Sequence, residues 1–264
     1  MFLKVVKRFI VSLFLVGVLS TVLILNIPAS FAPQLISFAS RHELLPADSP
    51  QLELAQLSGS LWDGTAKESA LLINDNVIDL GQFSWQLDMA QFLDKEIVLQ
   101  LQSSAPDHAV QAQVTFVQDG KVTVKSAEGY FPIKLLEPWI PLLIQGKLAF
   151  VIDHWIFTSR ELIALDGVLN LEDADWLGGD EEMPLGSYMA QVSMQQQDLQ
   201  IQINDFGAIL GVDGMITVNA VSHYHFTASL QPREGLAPEV AESILWFGKR
   251  NSTGDILIDR RGKL

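Results

Sequence analysis

The sequence predicts a mainly β protein: an N-terminal transmembrane helix followed by a curved antiparallel β-sheet, rolled or trough-like, with a few short helices. Three observations lead to this fold class. An uncharged apolar run follows a basic N-terminal tail. Apolar and polar residues alternate with a period of two after residue 50. A glycine followed by apolar residues two and four positions later recurs along the chain.

The N-terminal segment has the composition of a membrane anchor. Lys4, Lys7 and Arg8 come first, and no charged residue follows between Phe9 and Ser40. A helix over residues 9–27 would be about 28 Å long, close to the hydrocarbon thickness of a bilayer. The basic flank keeps the N-terminus in the cytoplasm. We therefore expect a cytoplasmic tail (1–8), a single-pass signal anchor (9–27) in a bacterial inner membrane, and a periplasmic remainder.

A cleaved signal peptide is the alternative for this segment. Ala29, Ser30 and Ala32 offer small residues for cleavage. The apolar run exceeds the roughly 7–15 residues usual in signal peptides, which favours an uncleaved anchor. Either interpretation exports the rest of the chain, which we divide into a linker (28–48) and a β domain (49–264).

Strand patterns fill the exported part. In the segment 96–104 the apolar residues are Ile97, Leu99 and Leu101, each separated by one residue. Such alternation gives a strand one apolar and one polar face, as in antiparallel sheets that are solvated on one side. Asp119-Gly120 between two alternating runs predicts a hairpin.

A glycine unit, Gly-x-Φ-x-Φ with Φ apolar, is repeated at uneven spacing. Glycine permits the positive φ angles of turns and bulges, after which the alternation restarts. We interpret the units as a weak repeat of β-hairpins. They begin at Gly81, Gly120, Gly146, Gly167, Gly214 and Gly254.

Helical patterns are short. We expect one or two turns within 87–96, a short helix before Glu137 within 132–143, and a helix over 236–249 with Pro238 in its first turn. Residues 177–186 form a loop that is a candidate boundary between two halves. The segment LSGSLWDGTA (57–66) predicts a strand with a bulge or turn at Asp63-Gly64.

Composition argues against several functions. The net charge is −14, which disfavours nucleic acid because phosphate binding needs a positive surface. The chain has no cysteine, so thiol nucleophiles and cysteine metal sites are excluded. The sequence patterns of phosphate loops, nucleophile elbows and zinc proteases are absent. We predict a protein that is not an enzyme and needs no cofactor.

Two segments carry residues that bind metals in other proteins. His223 and His225 would point to one face of a strand, which is compatible with zinc if a third ligand comes from elsewhere. The acidic residues between Glu172 and Glu182 suggest calcium, but their spacing does not fit an EF-hand loop. We interpret both as solvated polar residues and predict no metal site.

Five segments carry a resemblance to a known family. They are LSGSLWDGTA (57–66), LGQFSWQL (80–87), LGSY (185–188), GVDGMITV (211–218) and YHFTASLQP (224–232). With these segments the chain resembles the general secretion pathway protein N family, the N component of the type II secretion system. The resemblance implies an accessory inner-membrane component of the secretion machinery that acts by protein–protein interaction in the periplasm. The implied partners are other inner-membrane secretion-system subunits, and no catalytic residue is implied.

A rival interpretation starts from the same hairpins. AsmA-like and Tam-type lipid-handling proteins of the cell envelope have similar glycine units and form open β-troughs. Trp62, Phe83, Trp85 and Phe116 would then line a groove for lipid, or else fill a closed core. The arrangement of the segments around Pro138 and 236–247 would distinguish the two.

Overall fold

The structure is a computed structural model that describes residues 22–24, 26–41, 51–73, 76–88, 91, 96–117, 120–138, 143–158, 161–178, 182–246 and 248–263. The predicted tail (1–8) and most of the predicted anchor (9–27) lie outside these residues. Within the described part of the chain, no helix is both long enough and apolar enough to span a membrane.

The described residues form one antiparallel sheet of 15 strands. The strands are β1 (Gln51–Gly59), β2 (Asp63–Ile73), β3 (Asn76–Asp79), β4 (Gln82–Asp88), β5 (Glu96–Ser104), β6 (Ala109–Val117), β7 (Val122–Pro132), β8 (Ile144–Phe157), β9 (Leu162–Trp176), β10 (Met183–Gln195), β11 (Asp198–Phe206), β12 (Leu210–Val218), β13 (His223–Pro232), β14 (Lys249–Arg250) and β15 (Ile256–Lys263). The prediction of a mainly β, antiparallel protein is confirmed.

The strand order follows the chain with few exceptions. From β4 to β13 each strand pairs with the next one along the sequence, while β2 pairs with β1, β3 and β4. β15 lies between β13 and β14, so the sheet is open, with β1 and β14 at its two ends. The loop expected at 177–186 is shorter in the structure, because β10 already begins at Met183. The sheet is continuous across this loop, since Met183 pairs with Trp176 of β9.

The sheet separates apolar from polar side chains by face. Direct partners in an antiparallel pair share a face. One row of partners crosses six strands with apolar side chains only: Leu87, Leu99, Val114, Val124, Trp155 and Leu165. The adjacent row on the opposite face is polar throughout: Gln86, Gln100, Gln113, Lys125, His154 and Asp166.

The glycine units fit this separation. Following the pairs across the sheet places both apolar positions of every unit on the same face, which we call the apolar face. The predicted hairpin at Asp119-Gly120 joins β6 to β7; Gly120 has a φ of 81° and donates its N–H to Val117, and Asp119 lies outside the described residues. Ser126 and Asp173 adopt positive φ where the register shifts, and such bulges bend strands.

Between residue 28 and the end of the chain, the helices named in the described ranges are few and short, as predicted. They are α1 (Ala32–Arg41), α2 (Pro238–Leu245) and the 3-10 helices Ala29–Phe31 and Ile133–Leu136. α2 begins at the expected proline but ends at Leu245, before the expected Gly248. The short helix before Glu137 is confirmed as a single 3-10 turn. Most of the segment 87–96 beyond β4 lies outside the described residues.

The residues expected to form a linker, 28–48, contain a 3-10 helix and α1, which we did not predict. Ala29 and Ala32 pack with Ala66, Phe83 and Trp85 in a cluster that we call the N-terminal cluster. A second cluster lies near the other end of the sheet, where Ile244 and Leu245 of α2 pack on buried residues of the sheet. This C-terminal cluster is built on Ala174, Leu185, Leu210, Ala228, Leu230, Ile256 and Ile258.

Candidate functional site

Three of the four candidate aromatic residues lie at the N-terminal end of the sheet. Trp85 is 8% exposed and Phe83 is equally buried, with their ring centroids 6.3 Å apart. Trp85 Nε1 donates a hydrogen bond to the backbone oxygen of Leu61 at 2.9 Å. Both rings therefore fill the N-terminal cluster, and the indole N–H has the partner that a buried tryptophan needs.

The segment LSGSLWDGTA forms the turn between β1 and β2. Gly59 has a φ of 86°, and a side chain there would collide with the backbone of Asp63. The Ser60 hydroxyl oxygen accepts hydrogen bonds from the backbone N–H groups of Trp62 and Asp63. The turn thus lies at Ser60–Trp62, slightly before the position expected at Asp63-Gly64, because the serine side chain satisfies the turn's backbone groups.

This turn holds the N-terminal segment. Trp62 Nε1 donates to the backbone oxygen of Ile24 at 2.7 Å, and Leu61 N donates to the backbone oxygen of Ile27, also at 2.7 Å. Pro28 and Ser60 form an isolated β-bridge. Trp62 is half-buried by these contacts. Trp62 thus joins the sheet to the C-terminal end of the predicted anchor.

Phe116 lies elsewhere, on the apolar face in the middle of the sheet. It is 41% exposed. Around it the apolar face carries aliphatic and aromatic side chains, and most of these are half-buried. Two aromatic contacts lie in this region: Trp155 with Phe157, whose centroids are 5.0 Å apart, and Phe131 with Phe150 at 6.1 Å. We call the part of this face on β5–β9 the central apolar face.

The segments expected to decide whether the face is covered lie toward its C-terminal side. Ile244 and Leu245 of α2, with Leu236 before it, pack on the C-terminal cluster. The 3-10 helix Ile133–Leu136 buries Ile133 beside β8. Neither packs on Phe116, and residues 139–142 lie outside the described residues. In the described part of the chain, the central apolar face is exposed at Ile97, Phe116 and Leu162, while Val124 and Ala127 on the same face are buried.

One polar contact, between Arg233 and Asp205, lies beside the C-terminal cluster where β11 and β13 end. Arg233 Nη1 and Nη2 donate to the two carboxylate oxygens of Asp205 at 2.7 and 3.2 Å. Asp205 also accepts the N–H groups of Val212 and Ala208. Burial by itself opposes ionisation of Asp205, but these hydrogen bonds and the Arg233 charge outweigh it, so the pKa of Asp205 is lowered.

Tyr188 lies beside this contact. Its hydroxyl donates to the backbone oxygen of Leu210 at 3.1 Å. Burial and the negative charge of Asp205 together raise the pKa of Tyr188 to about 12. The group is thus a neutral hydrogen-bond donor at physiological pH, and its contact is structural.

The polar face carries a shallow groove of about 360 Å³. Lys147 Nζ lies 5.2 Å from the ring centroid of Tyr130 and 2.8 Å from Glu172 Oε2. The hydrogen bond and charge of Glu172 raise the pKa of Lys147. The pair lies at the rim of the groove. Because both side chains are exposed, it contributes little to folding stability.

In the segments considered as metal sites, several side chains form hydrogen bonds or ion pairs with other side chains of the protein. His225 Nε2 lies 3.0 Å from Asp259 Oδ1. Gln145 donates to Asp175 and Glu182, and Asp173 occupies a bulge. Among the residues that the structure describes, no group of three or more His, Asp or Glu side chains is arranged to hold a metal ion.

One comparison with known proteins is decisive for the family. The model of the type II secretion system (T2SS) protein N family matches residues 50–258. The chain belongs to the type II secretion system protein N family. The matched range begins just before β1 and ends within β15, so it includes all of the sheet except the last part of β15. Family membership associates the protein with type II protein secretion and its components, as the resemblance implied.

Two further comparisons gave no match. No curated protein and no solved structure is significantly similar to this chain.

The sequence reasoning missed several residues of the central apolar face. Phe131, Phe150, Trp155 and Phe157 join Phe116 there. The apolar alternation in β7 and β8 indicates that these residues share a face, but we used it only to predict the fold class. The contact between Asp205 and Arg233 had no sequence signal, because the two residues are brought together only by the pairing of β11, β12 and β13.

Proposed function

We propose that this protein is an accessory inner-membrane component of the type II secretion machinery that acts in the periplasm by binding other subunits, without catalysis. The match of the family model to residues 50–258 carries the proposal. An open sheet that repeats one hairpin plan offers broad surfaces on two faces, which suits a protein that contacts several partners.

The proposed location follows from the N-terminal sequence. Lys4, Lys7 and Arg8 precede the uncharged run, so the anchor would cross the inner membrane once with its N-terminus in the cytoplasm. The strongly acidic sheet domain would then lie in the periplasm, where type II secretion components meet their partners.

The central apolar face is the surface we assign to a partner subunit. Interface cores are depleted of charge and enriched in aromatic residues. This face has that composition: Phe116, Trp155 and Phe157 lie on it, and its partner rows on β5–β9 carry no charged side chain.

The same observation favours one second candidate, the binding of lipid acyl chains by an open β-trough. An apolar surface that is accessible along several strands is compatible with a hydrocarbon chain as well as with a protein segment. The two candidates differ in the chemistry of the occupant, so a covalent capture experiment separates them.

The test is photo-crosslinking in cells that assemble the secretion system. A photoreactive amino acid replaces Phe116 or Trp155 on the central apolar face. Lys125, exposed on the polar face of β7, is the matched surface control. Trp85 is buried in the N-terminal cluster and is the control position at which a probe should crosslink only to other residues of the same chain.

We expect adducts with other secretion-system subunits from Phe116 and Trp155, and intramolecular products alone from Trp85. Phospholipid adducts from the two central positions would replace the subunit-binding proposal with the lipid-handling one. If the central positions yield only intramolecular products, the central apolar face is not the binding surface. Subunit adducts from Lys125 alone would then assign binding to the polar face.

A further inference from the structure

The N-terminal helical segment has two different faces. Ala29 and Ala32 are buried against Phe83 and Trp85. Away from these contacts, Phe31 and Leu35 are 53% and 50% exposed, and Phe38, one turn further, is also exposed. The spacing of these three residues places them along one side of the segment.

This exposed surface is continuous with uncharged chain. No charged residue lies between Phe9 and Ser40, although the protein as a whole carries a net charge of −14. Residues 22–24, just before the segment, are likewise apolar and exposed. The segment is thus the part of an acidic protein that a surface of anionic lipid headgroups does not repel.

The chain just before this segment is bonded to the turn between β1 and β2. Trp62 Nε1 and Leu61 N donate to the backbone oxygens of Ile24 and Ile27, and the bridge between Pro28 and Ser60 adds a third contact. The position of the segment therefore fixes the position of the turn between β1 and β2.

We infer that residues 31–38 lie in the interface of the bilayer, with Phe31 and Leu35 inserted among the lipids. The observations favour a bilayer over a second protein because the segment comes shortly after the proposed anchor (9–27) and belongs to the same uncharged run, which extends to Ser40. Interfacial helices bury their apolar side about 5–10 Å into the headgroup and acyl boundary. This inference rests on the membrane anchor proposed above.

A defined orientation of the sheet follows. Because neighbouring strands are antiparallel, the β1–β2 turn lies at the same end of the sheet as the end of β6 and the starts of β5 and β9. Ile97, Phe116 and Leu162 lie there, and all three are exposed. The membrane-lying segment directs this end, and with it the rim of the central apolar face, toward the bilayer.

The experiment uses the full chain in lipid nanodiscs, one protein per disc. The natural sequence has no cysteine, so single variants Phe31→Cys and Leu35→Cys accept an environment-sensitive fluorophore at one site only. The matched control is Val77→Cys, because Val77 is an apolar residue of β3 that is 67% exposed and lies at the opposite end of the sheet. Thermal unfolding of each variant verifies that the fold is retained.

Discs are prepared with and without lipids that carry a nitroxide quencher near the headgroup. We expect a blue-shifted emission at positions 31 and 35 that the nitroxide lipids quench, and an aqueous, unquenched emission at position 77. Aqueous emission at 31 and 35 in discs that retain the protein would overturn this inference and leave the anchor intact. A blue shift without quenching would mean that protein covers the segment, which also overturns it. Loss of the protein from the discs would refute the anchor itself, and this inference with it.

Discussion

Trp85 and Phe116 follow the same alternating pattern, yet they have different surroundings. Trp85 is covered by Ala29 and Ala32 from the N-terminal segment, whereas no helix among the residues that the structure describes packs on Phe116. The difference arises from which parts of the chain pack on the apolar face, since both residues occupy that face. Single substitutions at the two positions should therefore lower the free energy of unfolding by different amounts.

Trp85→Ala should lower the free energy of unfolding by about 3–5 kcal/mol, because it removes a buried ring and leaves a cavity. Phe116→Ala, the comparison at an exposed position of the same face, should cost about 1 kcal/mol or less. Urea unfolding followed by circular dichroism measures both values. A small loss for Trp85→Ala would show that the N-terminal cluster does not stabilise the sheet.

Gly64→Ala tests the close approach beneath Trp85. A Cβ at position 64 would overlap Cζ2 and Cε2 of the Trp85 ring, so the substitution should cost about 1–3 kcal/mol through overpacking. Gly214→Ala is the control, because its Cβ would lie 3.3 Å from that of Ala228 and needs only a small adjustment. Equal unfolding free energies for the two variants would contradict a packed ring over Gly64.

At the scale of elements, the reversals between β11, β12 and β13 depend on one ion pair. Asp205 is 11% exposed and accepts hydrogen bonds from Arg233, Val212 and Ala208. These contacts hold the loop between β11 and β12 and the loop that leads from β13 to α2. We therefore expect the stability of these two loops to depend on whether the Asp205 carboxyl group is ionised.

Asp205→Asn should cost about 1–3 kcal/mol at neutral pH, the range for hydrogen bonds to a charged group. The folded pKa of Asp205 is below its unfolded value, so its stabilisation is complete above an unfolded pKa of about 3.9 and is lost as the pH falls through the folded pKa. The stability difference from the natural protein should shrink below about pH 4. Unfolding measured between neutral and acidic pH tests this.

Asp213→Asn is the control for that titration, since Asp213 is exposed on the polar face of the neighbouring strand. It should alter the unfolding free energy by less than about 0.5 kcal/mol. A pH-independent difference between the natural protein and Asp205→Asn would show that the loss is steric and unrelated to the carboxylate.

At the scale of the whole molecule, the sheet is a single layer with a packed cluster near each end. Nearly all pairings join strands adjacent in sequence, as in repeat proteins, where each unit contacts chiefly its neighbours. The two clusters add buried apolar contacts on β1–β5 and on β9–β15. Between them, on the apolar face of β7 and β8, Val124 and Ala127 are buried and the other described apolar side chains are half-buried. Local stability should follow this distribution.

Hydrogen exchange should therefore be slower for amides of β12 and β13 than for those of β7 and β8, because local opening costs less where fewer apolar contacts are buried. Exchange measured by mass spectrometry on the full chain tests the order. Uniform protection along the sheet would show that it opens as one cooperative unit. Protection gained by β7 and β8 in the presence of a partner subunit would locate the binding face independently.

The sequence by itself determined the sheet. Alternation and the glycine units specify strands, one apolar face and consecutive hairpins, because these depend on local backbone preferences and on residues only a few positions apart. The helix beginning at Pro238 and the 3-10 turn before Glu137 were predicted for the same reason. The family was also readable in the sequence, since its motifs are short and contiguous.

Only the tertiary structure decided which parts of the apolar face are covered. The packing of Ala29 and Ala32 on Trp85, the contact of Trp62 with Ile24 and the pair formed by Asp205 and Arg233 join residues far apart in sequence. No local pattern encodes such contacts, because a half-buried strand position has the same alternation whether a helix, a partner or water lies above it. The core role of Trp85 and the exposure of Phe116 therefore had to be read from the fold.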